Sequence, residues 1–430
     1  MVSKKQNNDN VLGIGLCHEH ISQVQRKTAI YEFSTRSLRN FILDSILQEI
    51  HERLLPLLSK AAKRCAIVDL QDILERFAFD NVCKIAFNED PMCLHPRIIH
   101  NHDHEEEREQ EQEFQSSSAA AAAAANFAQA FEDAANLSAG RFRYAIPSLW
   151  KLKKVLNIGS EKRLKESISI IHDFATKIIL SRKQKQSSST DNPDLLSRFL
   201  MISDEDYSVE FLRDIIISFI LAGRDTTSSA LAWFFWVLSS RPDVERKILE
   251  ELRWVRKRNG NCGPSFSFDE LRQMHYLYAA MSEAMRLFPP VAYDTKECME
   301  DDVLPDGTRV GRGWLVSYHV YAMARMENIW GSDCREFVPE RWLENGEDGG
   351  AFRAESPFKF PAFNAGPRVC IGREMAYLQM KLIVACVVER LEVEAVGKDS
   401  SPEQMLSLTL RIKGGLPVHV KQRCISDVDN

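Results

Sequence analysis

Apolar residues recur every three or four positions through much of this 430-residue chain, and that spacing places them on one face of an α-helix. In the first half of the chain the pattern predicts helices over 35–58, 69–87, 126–138 and 160–182. A longer helix is predicted over 208–239. Because this segment is apolar on nearly every side, we expect it to lie at the centre of the fold.

The second half of the chain changes pattern after one further helix. That helix is predicted over 269–288 and should end before Pro289 and Pro290, because a residue that precedes proline avoids the helical conformation. Short apolar runs between 310 and 321, with glycine turns around them, predict a small sheet. The fold class predicted from these patterns is mainly α with a minor β region.

One segment interrupts the helical pattern. Residues 95–125 contain the acidic run EEEREQEQE, three consecutive serines and seven consecutive alanines. This biased composition predicts a disordered, low-complexity surface insertion. The segment also contains His95, His100, His102 and His104. In so polar a tract we interpret these histidines as an adventitious metal site at most.

Composition and charge exclude several classes of protein. The net charge of −6 is spread along the chain, so no nucleic-acid-binding footprint is present. The ten cysteines form no CxxC pair, which argues against zinc ribbons and iron–sulfur clusters. The first ten residues, MVSKKQNNDN, are too polar for a signal sequence or membrane anchor. The longest apolar stretch without a charge, 226–240, is shorter than the roughly 18 residues that a membrane-spanning helix needs.

A polar hexapeptide, AGRDTT, stands at residues 222–227 in the middle of the long apolar helix. Gly223 would let a flat molecule approach the backbone, and Thr226 could bond a carbonyl one turn back. Asp225 and Thr226 supply a carboxylate and an alcohol, which could deliver protons to a reacting atom. We therefore expect a pocket against this helix, with a close helix crossing as the alternative interpretation.

Glu283 and Arg286 are three residues apart and so meet on one helix face. Alone, such a pair is typical of an exposed surface and contributes little. Arg341, in FVPERW, could complete a Glu–Arg–Arg network if its loop folds back. Such a network would hold the loop that leads to Cys370.

Cys370 stands immediately before a helical pattern, GREMAYLQMKLIVACVVERL. Backbone amides at a helix N-terminus, together with Arg368 and Arg373, would favour a thiolate. A thiolate held by amides, with no neighbouring histidine base, suits metal ligation better than nucleophilic attack. One soft anionic ligand indicates an axial bond to haem iron.

At this point the chain resembles a known family, the cytochromes P450. Its FNAGPRVCIG matches their haem-binding loop FxxGxRxCxG, and AGRDTT matches their oxygen-activation motif. Glu283 with Arg286 matches their ExxR, and 339–342 their PERF-like segment. The matched positions of the haem loop are Phe363, Gly366, Arg368, Cys370 and Gly372. The resemblance implies a P450 fold over 25–430, incomplete at the N-terminus, after an atypical segment 1–24.

The resemblance also implies a cofactor. Cys370 would be the proximal ligand of haem b, Phe363 would shield the sulfur, and Arg368 would pair with a haem propionate. Arg26 would contact the haem as well. Asp225 and Thr226 would deliver protons during oxygen activation.

Partners and location follow from the same resemblance. Electrons would come from NADPH through NADPH–cytochrome P450 reductase, which would dock on the Cys370 side near Lys359 and Arg373. The protein would lie on the cytosolic face of the endoplasmic reticulum membrane, although this sequence carries no anchor.

Segments such as FPPVAYDTKEC and FRAESPFKFPAFNAGPR are similar to plant microsomal enzymes that hydroxylate fatty-acid chains at or near the ω-end. Relatives in that group oxidise the conjugate jasmonoyl-isoleucine, which is the alternative substrate. The resemblance implies a substrate pocket formed by Phe219, Ala222, Val291, Ala292, Tyr293 and Leu416.

The N-terminal region departs from the family pattern. The anchor, the first sheet and the first substrate-contact loop find no counterpart, and Ser22 stands where the family has a tryptophan. An inactive, truncated remnant is therefore a second hypothesis. A thiolate-haem isomerase or dehydratase of hydroperoxides is a third, against which Asp225 and Thr226 argue, because such an enzyme needs no protons for dioxygen.

Overall fold

The computed structural model describes residue 30 and residues 36–94, 118–141, 148–184, 194–202, 207–344, 350–398 and 400–423. Over these residues the fold is mainly α with a minor β region, as predicted. The helices are α1 Arg36–Glu49, α2 Leu55–Arg64, α3 Leu70–Phe87, α4 Ser118–Gly140, α5 Ser148–Leu156, α6 Gly159–Gln184, α7 Leu195–Ile202, α8 Val209–Ser239, α9 Pro242–Asn259, α10 Phe268–Gln273, α11 His275–Leu287, α12 Val320–Met323, α13 Glu327–Trp330 and α14 Arg373–Arg390.

The strands are short and form four small antiparallel groups. Strand β9 (Pro417–Gln422) pairs with both β1 (Val68–Asp69) and β6 (Leu391–Ala395). The other three groups are two-stranded: β2 (Asp294–Glu297) with β5 (Leu315–Tyr318), β3 (Asp302–Val303) with β4 (Arg309–Val310), and β7 (Gln404–Leu406) with β8 (Leu410–Ile412). The pairing of β9 with β1 ties the C-terminal part of the chain to the start of helix α3.

Helix α8 is the central helix, as its apolar composition predicted. Ser208 caps its N-terminus by accepting the N–H of Phe211 at 3.2 Å. The helix packs closely on α3, where a Cβ on Gly223 would lie only 2.9 Å from Cγ2 of Val82. Near its C-terminal end, the Trp233 indole donates to the carbonyl of Leu410 at 2.8 Å and so fixes strand β8 to the helix.

The helix predicted over 35–58 contains an irregular turn. A π-helical turn, Ile50–Leu54, separates α1 from α2, and the N–H of Leu55 donates to the carbonyl of Ile50. Pro56 has no N–H for the carbonyl of Glu52, and its ring would clash with that carbonyl in a regular α-helix. Widening by one residue relieves both problems.

Other element boundaries also differ from the sequence prediction. Helix α4 begins at Ser118 rather than at 126, so the alanine run is helical, as expected for the residue with the highest helix propensity. The rest of the predicted insertion, 95–117, lies outside the described residues. The region predicted as a sheet, 310–321, contains the end of β4 and all of β5, which belong to two different strand pairs, and helix α12 follows at Val320.

The helix predicted over 269–288 is two helices that meet at Met274, whose ψ of 83° is not helical. Helix α11 begins there because the Glu251 carboxylate accepts the N–H groups of Tyr276 and Leu277, at 2.6 and 2.8 Å. Glu251 lies on α9, so this cap comes from another part of the chain and has no local sequence signal.

Candidate functional site

A cavity of about 480 Å³ lies between helix α8, helix α3 and the segment that leads into helix α14. Most of its wall is apolar. Helix α8 contributes Phe219, Ala222, Gly223, Thr226, Thr227 and Ala230, and the segment before α14 contributes Pro361, Phe363, Arg368, Cys370 and Gly372. The sequence-predicted pocket against the polar part of α8 is therefore present.

The Cys370 side chain is exposed at the wall of this cavity. Its backbone N–H donates to the carbonyl of Phe363 at 2.7 Å, which closes the loop between them. Gly366 makes this closure possible, because its φ of 64° is a left-handed conformation that other residues adopt at a cost. Helix α14 begins at Arg373, so its first amides follow Cys370 closely.

Gly372 also lines the cavity and lies beside the sulfur. A Cβ at this position would be 3.9 Å from Sγ of Cys370. Phe363 lines the same wall, and its ring centre is 5.2 Å from that of the buried Tyr377. Arg368 lines the cavity as one of its few charged groups.

Thr226 lies in the cavity wall, whereas the adjacent Asp225 does not. The Thr226 hydroxyl donates to the carbonyl of Ala222 at 2.6 Å, which is the predicted bond to the preceding turn. Asp225 instead lies near Arg224, with 3.6 Å between Oδ1 and Nη1. Burial raises the pKa of Asp225, while Arg224 and Arg411 oppose the shift. The two residues of the predicted pair thus face different surroundings.

Gly223 fits both interpretations of the segment AGRDTT, the pocket and the close helix crossing. It lines the cavity, and it also permits the close crossing of α8 and α3 at Val82. The pocket and the tight helix crossing are therefore two sides of one helix segment.

Glu283, Arg286 and Arg341 are brought together in one network. Nε and Nη2 of Arg286 bind the two carboxylate oxygens of Glu283, each at 2.8 Å, and both side chains are fully buried. Nε of Arg341 lies 3.3 Å from the same carboxylate. The remaining donors of Arg286 bind the carbonyls of Ala324, Cys334 and Glu336.

An aromatic row links this network to the cysteine loop. The Trp342 indole donates to Glu283 at 2.8 Å, and its ring packs on Phe360 with 4.7 Å between ring centres. Phe360 immediately precedes the turn Pro361–Phe363. The buried ion pair thereby holds the segment from which Phe363 and Cys370 reach the cavity.

The predicted substrate-pocket residues divide into two groups. Phe219, Ala222 and Val291 line the cavity. Ala292, Tyr293 and Leu416 do not line this cavity, and their place in a substrate pocket stays a prediction. Ala292 is buried, and Tyr293 stacks on His319 with ring centres 5.5 Å apart. Leu416 is a core residue whose N–H donates to the Asp69 carboxylate at 2.8 Å. Arg26 lies outside the described residues.

Sequence reasoning missed several aliphatic residues of the cavity wall. They lie at apolar positions of helices α1, α3, α7 and α8: Ile42, Val82, Ile85, Ala86, Leu195 and Ile215. Each occupies a helical apolar position that looks the same in the sequence as a core position. Only the arrangement of the helices separates the two.

Comparison with known proteins identifies the family of the chain. The Cytochrome P450 family model matches residues 17–417, a match that begins within the segment 1–24 set apart above. The chain is 48% identical over 405 residues to "Cytochrome P450 CYP94D108" of Paris polyphylla, covering 94% of this chain and 76% of that protein. It is 44% identical over 406 residues to "Cytochrome P450 94A1" of Vicia sativa, covering 93% and 72%. It is 42% identical over 405 residues to "Cytochrome P450 94B1" of Arabidopsis thaliana, covering 93% and 73%.

The chain belongs to the cytochrome P450 family, whose members are haem-dependent monooxygenases. The relatives compared above are plant proteins of one numbered group, so the resemblance read from the motifs is confirmed at the level of family and group.

One helix among the described residues is long and apolar enough to cross a membrane. It is the central helix α8, and 67% of its most apolar stretch is buried inside the protein. A core helix passes the same test of length and composition.

Proposed function

We propose that this P450 hydroxylates a fatty-acid chain at or near its ω-end, with haem b bound to Cys370. One observation carries the proposal: Cys370 and Thr226 line one predominantly apolar cavity. The cavity combines a cysteine ligand, a hydroxyl that can carry a proton, and apolar walls that suit an alkyl chain.

The residues of the cavity fit a haem group. The Cys370 thiol is exposed at the wall, where it would ligate the haem iron, and Arg368 would offer a cation for a propionate. Phe363 lines the same cavity and would lie beside the haem. When bound, the haem supplies the oxygen-activating chemistry of the family. The Thr226 hydroxyl would be a proton donor at the cavity wall. The apolar walls would exclude water from the substrate.

The apolar wall supports an alkyl substrate. Among the described wall residues the charged side chains are Asp294 and Arg368, while the wall from α1, α3 and α7 is aliphatic. Each CH₂ group that such a wall buries contributes about 0.8 kcal/mol. Affinity should therefore rise with the length of the alkyl chain, and the polar amide and second carbonyl groups of jasmonoyl-isoleucine make that conjugate a poorer match to an apolar wall than a fatty acid.

Electrons would reach the haem from NADPH–cytochrome P450 reductase. Its proposed docking surface is the Cys370 side of the molecule, near Arg373 and Lys359. Lys359 pairs with Glu355 at 3.0 Å and lies over the Trp330 ring. Attachment to the endoplasmic reticulum membrane, on the cytosolic face, belongs to the same proposal.

The haem ligand is tested by spectroscopy of the expressed full chain. The reduced protein with carbon monoxide should give the Soret band of thiolate-ligated haem. C370A should abolish that band. The matched control is C262A, because Cys262 is also an exposed cysteine but does not line the cavity. A C370A protein with unchanged haem content and spectrum would overturn the proposal, and absence of the band in wild type would favour the inactive-remnant hypothesis.

The substrate is tested by reconstitution with the reductase and NADPH. Hydroxylated lauric acid is the expected product, identified by mass spectrometry. Preference for jasmonoyl-isoleucine would support the alternative substrate instead. Conversion of a fatty-acid hydroperoxide without NADPH, and of neither other compound, would support the isomerase hypothesis.

A further inference from the structure

In the cysteine loop, residues 363–370, Asn364 has an uncommon backbone conformation. Its φ is 62° and its ψ is 174°, a region that glycine occupies almost alone. Gly331 has a similar conformation, with φ 89° and ψ 178°. Asn88, by contrast, has φ 53° and ψ 34°, the ordinary left-handed conformation in which asparagine is often found. A residue with a Cβ keeps the conformation of Asn364 only where the surrounding contacts hold it.

The side chain of Asn364 is held by Tyr318. The Tyr318 hydroxyl contacts the side-chain amide of Asn364 and lies 3.0 Å from Oδ2 of Asp294, to which it donates. Tyr318 and Asp294 stand directly opposite each other on strands β5 and β2. The Asp294 carboxylate also pairs with Nζ of Lys296 and accepts the N–H of Thr295 at 2.8 Å. These contacts form one chain of hydrogen bonds from the strand pair to the cysteine loop.

The hydrogens in this chain of contacts have a consistent arrangement. Burial tends to raise the pKa of Asp294, but the Lys296 ammonium and the hydrogen bonds that Asp294 accepts hold that pKa below its usual value. The carboxylate is therefore ionised and only accepts. Burial and the Asp294 carboxylate raise the pKa of Tyr318, so its hydroxyl keeps its single hydrogen. Once that hydrogen is donated to Asp294, the Tyr318 oxygen can accept an N–H of the Asn364 amide.

Asn364 lies next to the hydrogen bond that closes the cysteine loop. Its own N–H donates to the carbonyl of Pro361 at 2.9 Å, and the carbonyl of the preceding Phe363 accepts the N–H of Cys370 at 2.7 Å. Asn364 and Cys370 both line the apolar cavity, whereas Tyr318 does not. A change in the backbone of Asn364 should therefore loosen the bond that brings Cys370 to the cavity wall.

We propose that Tyr318 is a positioning residue of the cysteine loop. Its hydroxyl holds Asn364 in a conformation that asparagine would otherwise leave, and so keeps the N–H of Cys370 bound to the carbonyl of Phe363. Tyr318 acts through Asn364 and from outside the cavity wall. The inference rests on the proposed haem ligation by Cys370, because haem is the group for which the loop is positioned.

The first test measures how fast the haem-loaded full chain releases haem to an excess of apomyoglobin, followed by absorbance. Y318F should speed release by about tenfold, which is within the typical cost of one such backbone conformation. The matched control is T295V, because the Thr295 hydroxyl pairs with that of Ser317 at 2.7 Å in the same two strands. In the described part of the chain Thr295 forms no hydrogen bond to the cysteine loop, so T295V should keep the wild-type rate. A Y318F rate equal to that of the wild type overturns the proposal.

Glycine at position 364 separates positioning from general stability. N364G should adopt the same backbone conformation without strain, so the loop should no longer need Tyr318. Y318F should therefore speed haem release in the wild-type background and leave the rate unchanged in the N364G background. Equal effects of Y318F in both backgrounds would mean that Tyr318 only stabilises its strand pair, which overturns the proposal. If Y318F alone does not fold, recovery of folding in the Y318F/N364G double variant supports the proposal, and failure of the double variant overturns it.

The second test needs neither haem nor a substrate. Hydrogen exchange of the haem-free full chain, followed by mass spectrometry, reports on a peptide that contains the amide of Cys370. Y318F should speed exchange of this peptide by about tenfold, whereas T295V should not, and N364G should remove the effect. Faster exchange in a chain that binds no haem supports the role of Tyr318 and places the failure in the proposed haem ligation. Wild-type exchange in Y318F overturns that role, even where the wild type gives the Soret band of thiolate-ligated haem.

Discussion

Glu283 and Arg286 form an ion pair in which neither side chain is exposed to solvent. Both contacts measure 2.8 Å, and the carboxylate also accepts the backbone N–H of Val338 and the indole N–H of Trp342. Every oxygen of this buried acid is therefore satisfied. The pair is the centre of the network that holds the cysteine loop, rather than a surface contact.

Removing the charge of Glu283 should destabilise the protein severely. E283Q leaves the Arg286 guanidinium buried without its counter-charge, and breaking such a pair costs about 3–5 kcal/mol. The free energy of unfolding, measured by urea denaturation with circular dichroism, should fall by that amount, or the protein should fail to fold. The control is E250Q, which breaks the exposed Arg246–Glu250 pair and should cost less than about 1 kcal/mol. Equal effects of the two substitutions would contradict this account.

Gly223 and Val82 should be energetically coupled. In a helix, Gly→Ala gains about 1 kcal/mol, but here the new Cβ would lie 2.9 Å from a methyl group of Val82. Overpacking of this kind costs about 1–3 kcal/mol, so G223A should be neutral or destabilising in wild type.

The sign should reverse once the methyl groups of Val82 are removed. In the V82A background G223A should stabilise the protein by up to about 1 kcal/mol. A double-mutant cycle of urea unfolding measures the coupling. An identical effect of G223A in both backgrounds would show that the close approach of Gly223 and Val82 does not affect the free energy of unfolding.

Gly366 should be required for haem retention beyond its contribution to stability. Its φ of 64° would strain alanine by about 1–2 kcal/mol. Because the strain falls in the loop closed by Phe363 and Cys370, G366A should lower haem content. G307A is the matched control, since Gly307 has a φ of 87° in a turn far along the chain from that loop. Both variants should lose similar stability, and only G366A should lose haem. Haem content is measured per mole of protein. Equal haem content in the two variants would show that Gly366 has no specific role in haem retention.

Local patterns predicted the helices well where caps and periodicity agree. Helix α8 begins after Ser208, and helix α3 begins after Asp69, whose carboxylate accepts the N–H groups of Gln71 and Asp72. Both caps lie at the predicted starts. The break at Met274 was missed because the Glu251 carboxylate that caps the next helix comes from another helix.

The candidate site was predictable in its motifs but not in its geometry. The sequence predicted that the adjacent residues Asp225 and Thr226 act together. Consecutive residues of a helix point about 100° apart, and only Thr226 lines the apolar cavity. Arg411 and Glu75 are 336 positions apart in the sequence. Their ion pair depends on how β8 packs against α3, and no local pattern encodes it.

Arg53 faces three carboxylates, and their competition should make stability depend on pH. It binds Asp90 through both terminal nitrogens, lies 3.0 Å from Glu49, and lies 3.6 Å from Asp80. Burial raises the pKa of Glu49 from 4.5 to about 8; Arg53 opposes the shift, and Asp80 and Asp90 add to it. The contact between Arg53 and Glu49 therefore does not keep Glu49 ionised at neutral pH.

The sign of the effect follows from that raised pKa. The folded state keeps the Glu49 proton to higher pH than the unfolded state, so the contribution is fully present below pH 4.5 and is lost as pH rises towards 8. One proton can produce a slope of at most about 1.4 kcal/mol per pH unit. E49Q, which cannot ionise, should flatten the fall in unfolding free energy across this window and should equal or exceed wild type at the alkaline end. Urea denaturation at several pH values measures the two slopes. The control is E52Q, which changes an exposed glutamate three residues further along and should keep the wild-type slope. If the E49Q slope is as steep as that of the wild type, Glu49 is already ionised in the folded protein and Arg53 holds all three carboxylates charged.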